Sequence, residues 1–310
     1  MRWLLAMLAA VVAVALTGWS VAAQGAWTTG PEMPTPRSEV GSAAIDGQVY
    51  VVGGGIGAAQ TTLEILDLAS GQWRTGTPMP RALNHPGTVA LNGRLYVFGG
   101  ADDTGRPTNA ALEYDPPINA WRTLADLPTP RSSPGAAALN GQAYVAGGIG
   151  ARNTPVVEVY DPSTDTWTTG PALGVARDHF ALVESGGRLF AIGGRIGNFA
   201  RNLDTVEILD PAAGAWAYGA PLPAPRSGNG GAALGSLIYV TGGEAPIETH
   251  GDLYLYDPAT DAWSIGPSMP TPRHGLSVLA AGGQLHVIGG GVSPGGGSDT
   301  SIYEVLTLIE

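Results

Sequence analysis

The chain has 310 residues, with 47 Gly, 25 Pro, no Cys, 44% apolar residues and a formal charge of −11. The lack of Cys excludes disulfides, Cys-ligated zinc and a thiol nucleophile, and the negative balance argues against binding nucleic acid or an anionic membrane surface. Dense turn residues between short apolar runs point to an all-β chain rather than a disordered one.

Residues 1–23 read as a secretory signal peptide. Arg2 precedes an apolar run, Leu4 to Leu16, and "SVAAQG" places Val21 and Ala23 at the small-residue positions before a cut. Cleavage after Ala23 leaves a mature domain of 24–310, secreted or periplasmic, with no stable membrane insertion and expected to be a monomer. The alternative is an uncleaved anchor, although the run is short for a full span.

From Trp27 onward the chain repeats. Glycine pairs end apolar runs at Gly53-Gly54, Gly99-Gly100, Gly147-Gly148, Gly193-Gly194, Gly242-Gly243 and Gly289-Gly290, spaced by 46, 48, 46, 49 and 47 residues. Trp27, Trp73, Trp121, Trp167, Trp216 and Trp263 each lie 26 residues before the first Gly of a pair. A period in the forties signals a solenoid or a propeller. Six residues before each pair sits a turn such as Asp46-Gly47 or Asn92-Gly93, suited to a two-residue hairpin. Twelve before it is a small residue, Gly41, Gly87, Gly135, Ala181, Gly230 or Ser277, as expected of a strand packed near an axis. A third strand such as "VEVYD" (Val157–Asp161) and a fourth strand holding the Trp complete four antiparallel strands per unit.

The glycine pair, the Tyr three residues before it, the Glu-x-Tyr-Asp strand and the Trp resemble the Kelch repeat, over Gln24 to Glu310. The resemblance implies a six-bladed β-propeller around a central channel, with the first strand of each blade innermost. Trp27 stands alone near one end of the chain and "SIYEVLTLIE" at the other. An outer strand around Trp27 is therefore expected to pair with the C-terminal strands and close the ring.

Length varies only between the glycine pair and the third strand, so those loops are the expected carriers of specificity. Sixteen residues before the first Gly stand Arg37, Arg131, Arg177, Arg226 and Arg273, with Leu83 breaking the series. Hairpin geometry puts this position and the variable loops, with Arg195, on one face. These arginines, with Arg195 and His274, are the expected ligand contacts at the channel mouth, where guanidinium groups suit a carboxylate. The competing reading is that a repeated Arg braces the scaffold, with acids such as Glu39, Asp178, Glu244 and Asp252 on the same face. The ligand expected is an acidic protein segment, a glycan or a small anion, held without catalysis. The alternative is an enzyme on an acidic sugar, resembling the exported Kelch-type sialic acid epimerases or mutarotases, with Glu244, His250 and His179 as acid and base candidates. No cofactor or metal is expected, because the histidines fall on different blades and no Cys is present.

Overall fold

The computed structural model describes residues 25–55 and 58–309; the signal-peptide reading of residues 1–23 lies outside them. The local signals form as the sequence predicts. Asp46-Gly47, Asn92-Gly93 and Asn140-Gly141 hold positive φ at both residues, the turn whose twist matches the flanking strands. The hairpins are in register, as in Ile45 opposite Gln48 and Gly41 opposite Val52.

Each blade is an antiparallel sheet. In blade one the order from the axis outward is Gly41–Ile45, Gln48–Val52, Leu63–Asp67 and Gln72–Thr75. Blades two to five repeat it, with inner strands Gly87–Leu91, Gly135–Leu139, Ala181–Ser185 and Ser227–Leu234. Blade five adds a short strand, Glu248–Thr249. Blade six joins Ser277–Ala281, Gln284–Ile288 and Tyr303–Leu308 to Gly25–Thr29 from the other end of the chain. Gly25 pairs with Leu308 and Thr29 with Glu304, so the ring closes as expected.

The apolar residues do not make one core. They make a ring of cores, one between each pair of neighbouring blades. Ile65 and Val52 of blade one pack with Leu95 and Tyr114 of blade two, and Val49 of blade one packs with Ile288 and Tyr303 of blade six. At the axis the inner strands nearly touch: a Cβ on Gly41 would lie 2.2 Å from Thr88 Cγ2, and one on Gly135 would lie 2.6 Å from Leu182 Cβ. That is why this position stays small.

Two rings of hydrogen bonds fasten neighbouring blades. Each Trp indole donates to a carbonyl four residues beyond the previous blade's Trp, as in Trp73 to Pro31 at 2.8 Å and Trp27 to Pro267 at 2.8 Å. The second glycine of each pair donates its N–H to the next blade, as in Gly54 to the Leu83 carbonyl at 2.9 Å and Gly290 to the Arg37 carbonyl at 2.9 Å. A Cβ on Gly53 would sit 2.6 Å from that Leu83 oxygen, so the pair marks a close approach of two backbones.

Candidate functional site at the channel mouth

The repeated arginines do not reach the mouth. Arg37, Arg131, Arg177, Arg226 and Arg273 are at most 1% exposed. Each folds back into its own blade and donates to the carbonyl of the first glycine of its pair: Arg37 Nη1 to Gly53 at 2.6 Å, Arg131 Nη1 to Gly147 at 3.0 Å, Arg177 Nη1 to Gly193 at 2.9 Å, Arg226 Nη1 to Gly242 at 3.2 Å, and Arg273 Nε to Gly289 at 2.8 Å. In four blades a buried Glu of the third strand takes the charge. Arg37 pairs with Glu64 at 2.7 Å and Arg273 with Glu304 at 2.8 Å, while Arg131 meets Glu158 and Arg177 meets Glu207. Burial pulls the pKa of these arginines down, opposed in those blades by the paired Glu. Buried and bonded within their own blades, they present no donor to the mouth, which corrects the expectation of a five-arginine mouth.

The mouth is built two residues later. Glu39, His85, Ser133, His179, Gly228 and Gly275 hold corresponding places in the six blades, and all have positive φ. Their backbones form a closed circuit around the axis: His85 N–H donates to Glu39 C=O at 3.1 Å, Ser133 to His85 at 2.9 Å, His179 to Ser133 at 3.3 Å, Gly228 to His179 at 2.8 Å, Gly275 to Gly228 at 2.9 Å, and Glu39 to Gly275 at 2.6 Å. The left-handed backbone lets each residue give and take one of these bonds, and four of the six carry side chains into the opening.

Above the circuit lies a charged cluster. Arg195 Nη1 donates to Glu244 Oε1 at 2.8 Å, and its Nε donates to Asp178 Oδ1 at 3.0 Å. Arg195 Nη2 lies 3.0 Å from His179 Nε2, while His179 Nδ1 faces Asp178. His85 Nε2 is 3.4 Å from Glu39 Oε2, and His274 Nε2 is 3.8 Å from both Glu39 and Glu244. Gly295 of a blade-six loop donates to Glu244 Oε2 at 2.7 Å. Phe199 lies beside Arg195, its ring centroid 5.9 Å from the guanidinium carbon. Burial alone would raise the Glu39 pKa, but His85, His179, His274 and Arg195 outweigh it and hold the carboxyl at about 2. Burial pushes His85 the other way, to about 4 despite Glu39. At neutral pH the site therefore presents an ionised Glu39 beside an uncharged His85.

Of the expected site residues, Arg195, His274, His179 and Glu244 come together here. The five repeated arginines do not, and neither does His250, which is half-buried and has its pKa lowered by burial and by Arg226. Glu39 and His85 were missed as site residues. The signal was present: residues 39, 85, 133, 179, 228 and 275 share the 46, 48, 46, 49 and 47 spacing of the glycine pairs. Histidines on different blades are far apart in sequence but adjacent on an axis.

The Kelch motif matches residues 36–80, 82–128, 130–174, 176–223 and 225–270, one match for each of the first five blades. No curated protein matches the chain. A solved structure titled "Structure of YjhT" superposes with a TM-score of 0.79 at 20% identity, covering 91% of this chain and 100% of that one; at that identity the likeness concerns the fold alone.

Proposed function

The chain belongs to the Kelch-repeat proteins, whose propellers commonly bind protein partners, and from that premise we propose that it is an exported binding propeller that takes a polar ligand at the axial mouth. The observation that carries the reading is the convergence of Glu39, His85, His179, Arg195, Glu244 and His274 from five blades on one opening. Carboxylates accept from hydroxyls, Arg195 can hold one carboxylate, and Phe199 offers an apolar face. That mixture suits a glycan, including one with a single acidic group, better than a densely anionic segment, because among the described residues Arg195 alone, rather than six arginines, lines this opening. The test is a thermal-shift and saturation-transfer screen of the protein against neutral and acidic sugars and acidic peptides. A true ligand raises the melting temperature, and Arg195→Gln with Glu244→Gln abolishes that rise. A rise that survives both substitutions rejects the mouth as the site.

A second reading rests on one arrangement. His179 is oriented by Asp178, with Glu244 joined to it through Arg195, so an acid and a base candidate share the opening. Acceleration of anomeric exchange of sialic or uronic acids above buffer, lost in His179→Asn and Glu244→Gln, would favour this enzyme reading over binding alone.

A further inference from the structure

We propose that Glu39, His85 and His179 form a divalent metal site on the propeller axis. This goes beyond the ligand reading and requires no sugar. One donor atom from each residue lies within 4.8 Å of the other two. The Glu39 Oε2 to His85 Nε2 distance is 3.4 Å. A tetrahedral ion with bonds of about 2.1 Å spaces its ligand atoms by about 3.4 Å. One edge of the site thus already stands at coordination spacing, and closing the others needs side-chain movements on the order of 1 Å.

The scaffold fixes where these groups start. All three occupy the left-handed positions of the hydrogen-bonded circuit, in blades one, two and four. They are held by the ring itself rather than by a variable loop. Asp178 against His179 Nδ1 is the outer carboxylate that fixes a metal-binding imidazole, leaving Nε2 for the ion. Charge points the same way. Glu39, Asp178 and Glu244 bring three carboxylates to the enclosed mouth against the single guanidinium of Arg195, a surplus that a dication would balance. Two imidazoles with one carboxylate suit zinc or another first-row ion, whereas calcium and magnesium prefer oxygen sets.

Arg195 is the competitor, because its Nη2 now meets His179 Nε2. It can release that nitrogen and still hold Asp178 and Glu244. The remaining coordination positions would face the opening, where water or a ligand oxygen could bind.

The experiment uses tag-free protein stripped with a chelator. Zn2+ is titrated by calorimetry, Co2+ by visible absorption, and the imidazole signals are followed by NMR. One Zn2+ per chain is expected, with Co2+ bands of a low-coordinate nitrogen and oxygen site. The His85 and His179 signals should move while those of His250 and His286 stay. Glu39→Gln and His85→Asn should each weaken binding by roughly tenfold or more, and Asp178→Asn by about 10–100-fold; Asn is chosen at position 85 because it tolerates positive φ. Arg195→Met should tighten binding. No Zn2+ heat, or Zn2+ that leaves the His85 and His179 signals unmoved, overturns the site on the wild-type protein alone. Unchanged affinity in folded Glu39→Gln or His85→Asn protein overturns it as well.

Discussion

Blades two and three share a backbone and differ in the chemistry buried at one point. In blade three, Arg131 meets Glu158 and donates to the Gly147 and Val156 carbonyls, out of water. In blade two, both charged positions are leucines: Leu83 is 0% and Leu112 3% exposed, and both belong to the apolar cluster with blade one. Thr108 Oγ1 donates to the Gly99 carbonyl at 3.1 Å, in place of the missing guanidinium. In five of the six blades the two charges are present together or absent together. Blade five is intermediate, with Arg226 kept and Tyr254 where Glu would stand. Its guanidinium carbon lies 4.6 Å from the Tyr254 ring centroid, and its partner Asp252 is half-exposed. The position therefore selects against an unpaired buried charge rather than for a charge.

The hardest blow to the comparison is to remove one partner. Glu158→Leu strands Arg131, and Arg131→Leu strands Glu158, and each should cost about 3–5 kcal/mol, because an uncompensated buried charge cannot regain water. Urea denaturation would read this as a lowered midpoint. A loss below about 1 kcal/mol in both would mean that water reaches the pair.

Copying blade two into blade three should restore most of that loss. The Arg131→Leu/Glu158→Leu double variant removes both charges and the guanidinium bonds to the Gly147, Val156 and Thr129 carbonyls, although Val156 still accepts from the Gly147 N–H at 3.0 Å. Thr154 lies seven residues before Asp161, as Thr108 lies before Asp115, and can turn to the Gly147 carbonyl. The guanidinium bonds lost at Val156 and Thr129 should cost about 1–3 kcal/mol, well short of the sum of the single losses. An additive double-mutant cycle would sink the idea that the two motifs are interchangeable.

Blade five should give a smaller effect from a single change. Arg226→Met strands no buried carboxylate, because Asp252 already faces solvent. It loses a hydrogen bond to Gly242 and the contact with Tyr254, for about 1–2 kcal/mol. A loss as large as that of Arg131→Leu would show that burial of the guanidinium, not the fate of its partner, sets the cost.

The same comparison explains what could be read in advance. The glycine pairs, turns, small inner positions and tryptophans announce the propeller, because each repeats at a fixed phase and has one structural use. The burial of the arginines is harder to see. A strand-start Arg can point to the opening or fold beneath it, and phase does not distinguish the two. The partner was visible only as blade two's Leu83 and Leu112 departing together, with Glu113 displaced one residue onto the face that meets Arg122. The mouth cluster was hidden for another reason. Its ring position holds Glu, His, Ser, His, Gly and Gly, so its common feature is a backbone angle, not a residue type.

Blade six offers the finest variation, and pH alone can probe it. His286 stands where the other blades carry Tyr50, Tyr96, Tyr144, Phe190 and Tyr239. It is 2% exposed. Its Nδ1 lies 2.6 Å from the Tyr303 hydroxyl and its Nε2 lies 3.0 Å from the Ala281 carbonyl. A neutral ring fits both, accepting from Tyr303 and donating to Ala281. Burial pulls its pKa below the ordinary histidine value, partly opposed by the Ala281 carbonyl. The unfolded chain takes a proton near pH 6.5 while the folded chain does not, so stability falls as pH drops from about 6.5 toward the lower folded pKa and levels off beneath it. His286→Gln should cost about 1 kcal/mol at pH 7.5 through a poorer hydrogen-bond fit. It should also remove this share of the acid slope, so the gap between wild type and variant narrows between pH 6.5 and 5. His85 titrates in both proteins and cancels in the difference. A gap that stays constant over that range would mean that His286 titrates alike in the folded and unfolded chains, and that its buried place in blade six is no different to a proton than water is.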